Sequence, residues 1–251
     1  MQRKLLLPAI LLAAGMTILP AQSSDRDNPP LYRGPDTHIP GVFVTPVAGA
    51  PFSATALIQS EQTMPDGTVV VKHTIDFVGR DSKGRIRNER RSLVPEPFRG
   101  TPALLEVHIF DLQTRMNTFY DPATHIARQR VLPEPAKANA MLEADAKAED
   151  LGSTSINGMD AKGTRHTSTV PAAISGTGKA VTVVDEYWYS EDLQMNLLVR
   201  HTDPRTGVQT VALSDIKRQE PPPAFFEVPE GYKIVDVTPP PGAAQLPARP
   251  Q

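Results

Sequence analysis

Histidine is the residue type in this sequence best suited to chemistry, since imidazole binds metal ions and transfers protons near neutral pH. The six histidines are His38, His73, His108, His125, His166 and His201. None of them forms an H-E-x-x-H or similar ligand-spaced pair, and the sequence has no cysteine. A zinc site would therefore need scattered histidines and carboxylates, so the spacing predicts no metal site.

The usual catalytic motifs are also missing from the sequence. There is no G-x-S-x-G nucleophile elbow, and the loop glycines Gly176 and Gly178 lack the strand-then-helix context of a phosphate-binding loop. Asp185 and Glu186 are neighbours on a predicted strand, so they point to opposite faces and cannot work as an acid–base pair. The sequence thus predicts a non-enzymatic protein with no catalytic residue, no metal and no cofactor.

Basic side chains crowd one predicted strand. They are Arg80, Lys83, Arg85, Arg87, Arg90 and Arg91. One interpretation is a solvated edge strand whose charges deter aggregation. The other is a basic strip that meets an anionic headgroup or the acidic surface of a partner. On the second interpretation Arg85, Arg87 and Arg91 are candidate ligand-binding residues.

The aromatic run Tyr187-Trp188-Tyr189 is a second candidate feature. On a strand, Trp188 points away from its two tyrosine neighbours. Its role is either core packing or a platform for a ligand. Trp188 is therefore also a candidate ligand-binding residue.

The elements that hold these residues are mostly strands, because the apolar pattern has a period of two. From Val69 to Phe77 the odd positions are mostly apolar, which predicts a half-buried strand with those positions on its apolar face. Leu193 to Val199 alternates in the same way. Turns headed by aspartate, such as Asp81-Ser82-Lys83-Gly84, separate the strands. About ten strands in a meandering antiparallel sheet are expected.

One principal helix is predicted over Ala136–Glu149, a run rich in Ala, Lys, Glu and Met. Pro133 and Pro135 mark its start and Gly152 its end. Met141 and Leu142 would face the sheet. Both are candidate ligand-binding residues at the lid of a cavity.

The two ends of the chain predict an exported protein. Arg3 and Lys4 precede an apolar run and then Pro20-Ala21, which indicates a signal peptide over residues 1–21. The run is too short to span a bilayer comfortably, so no stable membrane span is expected after cleavage. The mature protein would be soluble and periplasmic or secreted.

Proline sets the predicted domain limits. The 26 prolines cluster after the signal peptide and near the C-terminus. They predict a linker over 22–49, a single β-rich domain over 50–238 and a disordered tail over 239–251. The formal net charge of −2 gives no electrostatic reason to expect nucleic acid as a partner.

Several short motifs resemble a known family. They are Ile109-Phe110-Asp111, Phe119-Tyr120-Asp121-Pro122, Thr169-Val170-Pro171-Ala172, Trp188-Tyr189-Ser190, Asp203-Pro204-Arg205 and Phe226-Glu227-Val228-Pro229-Glu230-Gly231-Tyr232. This succession, over about residues 50–236, resembles a family of exported bacterial proteins of unknown function. At fold level it resembles the lipoprotein carriers of the LolA/LolB type. The resemblance implies an unclosed antiparallel barrel, with helices covering an apolar cavity for lipid acyl chains.

Two functions remain open at this point. The first is an envelope protein that binds an apolar or amphiphilic ligand, lipid or lipoprotein-like, on the concave side of a curved sheet. The second is a structural or protein-interaction module of the envelope with a filled core. A core filled by large aromatic side chains would favour the second: Phe52, Phe77, Phe110, Trp188 and Phe226.

Overall fold

The computed structural model describes residues 44–134 and 147–240. These residues form thirteen strands in one sheet and a short 3₁₀ helix, Pro223–Phe226. The strands are β1 Phe52–Thr63, β2 Val69–Arg80, β3 Ile86–Arg91, β4 Val94–Pro95, β5 Leu104–Phe110, β6 Met116–Asp121, β7 Ile126–Val131, β8 Lys147–Ile156, β9 Met159–Val170, β10 Val181–Ser190, β11 Met195–Asp203, β12 Gly207–Lys217 and β13 Lys233–Asp236. Among the described residues no helix is long and apolar enough to cross a bilayer.

The sheet consists of two antiparallel meanders joined at their first and last strands. Its order is β13-β7-β6-β5-β3-β2-β1-β12-β11-β10-β9-β8, with β4 added to β2. Strand β1 pairs with β2 on one side and with β12 on the other. Strand β13 is the exception to antiparallel pairing, since it runs parallel to β7. The sheet is unclosed within the described residues, and the prediction of a mainly β, curved antiparallel fold is confirmed.

The predicted aspartate-headed turns are confirmed. Asp81 accepts backbone hydrogen bonds from Lys83 at 3.0 Å and from Arg85 at 2.8 Å, and Gly84 adopts a φ of +85°. That φ lies in the left-handed region, which glycine enters without steric cost. The turns at Asp66, Asp121 and Asp203 use their side-chain oxygens in the same way.

The main core lies on one face of the sheet, here called the inner face. It contains buried side chains from β1, β2, β3, β5, β9, β11 and β12, among them Phe52, Ile58, Phe110, Ala161 and Leu213. Strands β5 and β9 are far apart in the sheet order. A flat sheet could not bring their side chains into one cluster, so the sheet curls around this core.

A second apolar cluster lies on the opposite, outer face of β5, β6 and β7. Val107, Ile109 and Tyr120 of the sheet meet Phe226 there, and Phe226 is buried. Phe225 and Tyr232 pack against the same cluster. These aromatic residues tie the C-terminal segment to the domain.

The predicted apolar face of β2 is wrong. The structure buries Thr74, Asp76 and Val78, whereas Phe77 is 41% exposed. The cause is the register with β1, which places Asp76 opposite Ala56 and Val78 opposite Ala54. Because opposed residues share a face, the buried side of β1 decides which side of β2 is buried.

Most of the predicted helix over 136–149 lies outside the described residues, as do Met141 and Leu142. Its last three residues are strand rather than helix, because they begin β8. Glu149 stands opposite Arg165 of β9, and their side chains form an ion pair of 3.0 Å. Such cross-strand contacts override local helix propensity.

The predicted signal peptide also lies outside the described residues, as does the tail from residue 241 onward. Part of the predicted linker belongs to the fold. Val44 is fully buried in the main core, and its amide donates to Asn88 Oδ1 at 3.2 Å.

Candidate functional site

Arg87 fastens the C-terminal segment to the outer face. Its Nη1 donates to the Tyr120 hydroxyl at 2.8 Å and to the Phe225 carbonyl at 3.1 Å. Its Nη2 donates to Glu89 at 2.8 Å, and its guanidinium lies 4.9 Å from the centre of the Phe225 ring. Burial raises the pKa of Tyr120 above its usual value, although the nearby Arg87 charge opposes the shift.

Arg85 and Arg91 also contact groups of this chain. Arg91 donates to Glu89 at 2.8 Å, and its guanidinium lies 5.4 Å from the Phe77 ring. Arg85 pairs with Asp81 at 2.6 Å. The structure thus places all three arginines with acidic partners. Their role in binding a ligand stays a prediction.

Trp188 is half-buried and packs against the main core. A Cβ atom added to Gly163 would lie 2.7 Å from the indole ring and 2.9 Å from Leu151 Cβ. Glycine is thus required at 163 for the ring to lie this close to β9. Core packing accounts for these contacts, and a ligand-binding role for Trp188 stays a prediction.

The inner face is filled by the protein's own side chains. Phe52, Ile58, Leu197 and Leu213 are each no more than 1% exposed. Arg80 is fully buried beside them and lies 5.2 Å from the centre of the Phe52 ring. Of the five aromatic residues proposed to fill the core, Phe52 and Phe110 lie in it and Trp188 packs against it. Phe226 is buried in the outer cluster, and Phe77 is exposed.

Three buried polar side chains interrupt the inner face between β2 and β3. Thr74 Oγ1, Asp76 Oδ2 and Asn88 Nδ2 have no hydrogen-bond partner among the described residues. The other oxygen of Asp76 accepts a bond of 2.9 Å from the Arg91 amide. Desolvation raises the pKa of Asp76 to about 8, so this carboxyl is protonated at neutral pH.

A histidine and a carboxylate form a pair across β10 and β11. His201 Nδ1 lies 2.6 Å from Asp185 Oδ1. The residues opposite them are Gln209 and His166, neither of which supplies the hydroxyl or thiol nucleophile of a triad. The described residues contain no group of three potential metal ligands.

Two open clefts accompany this sheet. The inner cleft has a volume of about 310 Å³, and polar and apolar surface contribute to its lining in nearly equal parts. It is lined by Ser60, Gln62, Val70, Lys72, Leu93, Thr206 and Gln209. The outer cleft, of about 480 Å³, lies near the turn between β10 and β11. It is lined by Ser153, Thr154, Asp160, Ala161, Lys162, Tyr189, Glu191 and Asp192.

A row of apolar side chains crosses the outer face of four adjacent strands. We call it the outer apolar patch, and it consists of Phe77, Ile75, Leu57, Ala212 and Leu198. Leu57 stands opposite both Ile75 and Ala212, and Ala212 stands opposite Leu198. Leu57 is 44% exposed and Phe77 is 41% exposed. One sequence feature points to this patch. Leu198 is apolar at a position of β11 where the alternating pattern calls for a polar residue.

No family model matches the sequence. No curated protein matches it either. Solved structures that match this chain include an uncharacterized conserved protein from Thermus thermophilus, with a TM-score of 0.42 and 13% identity. That match covers 74% of this chain and 90% of the other.

The Pseudomonas aeruginosa MucA/MucB complex matches with a TM-score of 0.42 and 11% identity, over 74% of this chain. This chain spans 58% of that protein's length. A LolA superfamily protein from Nitrosomonas europaea matches with a TM-score of 0.30 and 13% identity. That match covers 71% of this chain and 90% of the other. A protein of the predicted LolA type is among the matching solved structures.

Proposed function

We propose that this chain is a non-enzymatic protein-interaction module of the cell envelope. The observation that carries the proposal is the filled inner face. The resemblance to lipoprotein carriers implies an apolar cavity on the concave side, whereas Phe52, Leu197 and Leu213 on the inner face are at most 1% exposed. Ligand pockets are mostly apolar cavities of about 300–1,000 Å³. The inner cleft, at about 310 Å³, is at the lower end of that range, and only about half of its lining is apolar.

The chemistry of the described residues supports binding rather than catalysis. The pair formed by Asp185 and His201 has no nucleophile opposite it in the sheet. The predicted signal peptide supports the envelope location. A filled core leaves the outside of the sheet as the surface for a partner.

A second candidate function is the binding of a small anionic amphiphile. The inner cleft favours it, because Lys72 lies in its lining beside the polar side chains of Ser60 and Gln209. A lysine at this position would meet the anionic head, and the apolar tail would have to displace side chains of the core.

Titration with a fluorescent fatty acid separates the two functions. The interaction module predicts no saturable binding by the wild-type protein at micromolar concentration. Saturable binding that Lys72→Gln weakens about tenfold would support the amphiphile instead. The matched control is Lys179→Gln, an exposed lysine of the loop between β9 and β10.

A further inference from the structure

We propose that the outer apolar patch and the outer cleft together bind one polypeptide segment, which presents apolar side chains followed by a basic one. This inference rests on the proposed interaction function and names its surface and the chemistry of its partner. Contiguous exposed apolar surface on a soluble domain marks an interaction site when polar residues surround it.

The patch is continuous because the strand register fixes it. Ile75, Leu57, Ala212 and Leu198 stand side by side on β2, β1, β12 and β11. Adjacent strands lie about 4.8 Å apart, so the row is about 14 Å long. An extended segment of four or five residues matches that length at about 3.3 Å per residue.

Tyr189 connects the patch to the outer cleft. It stands opposite Asn196, which lies two residues from Leu198 on the same strand and therefore on the same face. Tyr189 is 41% exposed and forms part of the cleft lining. A segment that leaves the patch beyond Leu198 therefore reaches the cleft over the tyrosine ring.

The net negative charge of the cleft favours a basic residue at the end of the partner segment that lies there. Its lining has three carboxylates, Asp160, Glu191 and Asp192, against one cation, Lys162. Lys162 pairs with Glu191 at 2.6 Å, and Arg218 from outside the lining pairs with Asp192 at 2.9 Å. Asp160 has no ion pair in the part of the chain that the structure describes. A lysine or arginine of the partner would form an ion pair with the Asp160 carboxylate and neutralise its charge.

The charge on the other side of Leu198 along β11, away from Asn196 and the cleft, supports the same orientation of the partner. Arg200 stands opposite Thr210, in the row next to Leu198 and Ala212. It is exposed and has no ion pair within residues 44–134 and 147–240. Glu186, opposite Arg200 on β10, already pairs with Arg165 at 2.7 Å. A basic end placed there would still meet the like charge of Arg200, so it belongs at the cleft instead.

Site-specific photocrosslinking of the full chain in its own cells tests this surface. A photoreactive phenylalanine analogue replaces Leu57, Phe77 or Tyr189, which are exposed sites of the proposed surface. The matched controls carry the analogue at Leu105 or Val131, which are exposed apolar residues of β5 and β7 at 37% and 43%. Mass spectrometry then identifies each crosslinked segment.

The expected result is one polypeptide crosslinked at all three test positions and absent at both controls. Its crosslinked segment should contain apolar residues followed by lysine or arginine. Adding Asp160→Asn should lower the yield at Tyr189 at least threefold. Asp160 is exposed, so an unchanged unfolding midpoint shows that the loss does not come from misfolding.

Other outcomes overturn specific parts of the proposal. Adducts confined to Leu105 or Val131 would refute this surface but leave the interaction module standing. An adduct with a second copy of the chain would refute the proposed partner. No adduct at any of the five positions, together with saturable fatty-acid binding, would refute both the surface and the interaction function.

Discussion

The guanidinium of Arg80 donates a hydrogen bond of 2.6 Å to the carbonyl oxygen of Leu193, which lies in the turn between β10 and β11. The same group donates to Thr45 at 2.7 Å and to Ala50 at 2.9 Å. Desolvation lowers the pKa of Arg80 below its usual value. One buried cation thus ties the first meander to the second and closes one end of the filled core.

Replacing Arg80 should destabilise the domain strongly. Arg80→Met keeps the side-chain length but leaves three carbonyl oxygens without their donor. We expect a loss of about 3 kcal/mol or more in the free energy of unfolding, measured by urea denaturation. The matched control is Arg218→Met, which removes an exposed ion pair and should cost about 0–1 kcal/mol. Equal unfolding midpoints for the two variants would contradict the claim that Arg80 links the two meanders.

Asp76→Asn should change how stability depends on pH. The folded carboxyl has a pKa of about 8, whereas the unfolded one titrates near 3.8. Between those values the folded state binds the extra proton, so its contribution to stability falls as pH rises. Asp76→Asn should remove this loss of stability. The free energy of unfolding of the variant, relative to that of the wild type, should therefore increase from pH 4 to pH 8. A constant difference in unfolding free energy across that range would refute the shifted pKa.

The sequence predicted the strands well where alternation and turn chemistry agreed. The alternation predicted over Leu193 to Val199 is observed in β11, where Met195, Leu197 and Val199 are buried. The prediction from sequence failed for the buried face of β2. The apolar odd positions were assigned to the buried side, and only the pairing with β1 shows that the even positions are buried. The prediction also failed at the start of β8, where residues 147–149 favour a helix locally and are held as strand by β9.

The candidate site was less predictable than the fold. Arg85, Arg87 and Arg91 were recognised as a group, but their partners Asp81 and Glu89 depend on strand pairing and a turn. The outer apolar patch was missed because its members come from four strands. Each strand alone shows only one or two exposed apolar residues.

Gly163→Ala should destabilise the region around the single tryptophan. The added Cβ would lie 2.7 Å from the Trp188 ring, which forces the ring or the β9 backbone to move. Overpacking of this kind costs about 1–3 kcal/mol. The fluorescence of Trp188 should shift in the variant, and a compensating Trp188→Phe should recover part of the stability. An unchanged emission spectrum and unfolding midpoint would rule out the contact.

Phe226→Ala should release the C-terminal segment. Phe226 is 5% exposed, and truncating a buried phenylalanine costs about 3–5 kcal/mol. Proteolysis near Tyr232 should become faster in the variant. The matched control is Phe98→Ala, because Phe98 is 38% exposed. If both variants keep the wild-type midpoint, the C-terminal segment does not depend on this contact.

The filled inner face is the central claim, and native mass spectrometry of the chain purified from its own cells without detergent tests it most directly. Phe52, Ile58, Leu197 and Leu213 are each at most 1% exposed, so an acyl chain could lie among them only if the core opened. We predict that the mass equals that of the polypeptide alone. One acyl-chain molecule retained by each polypeptide would contradict the claim and favour the carrier function.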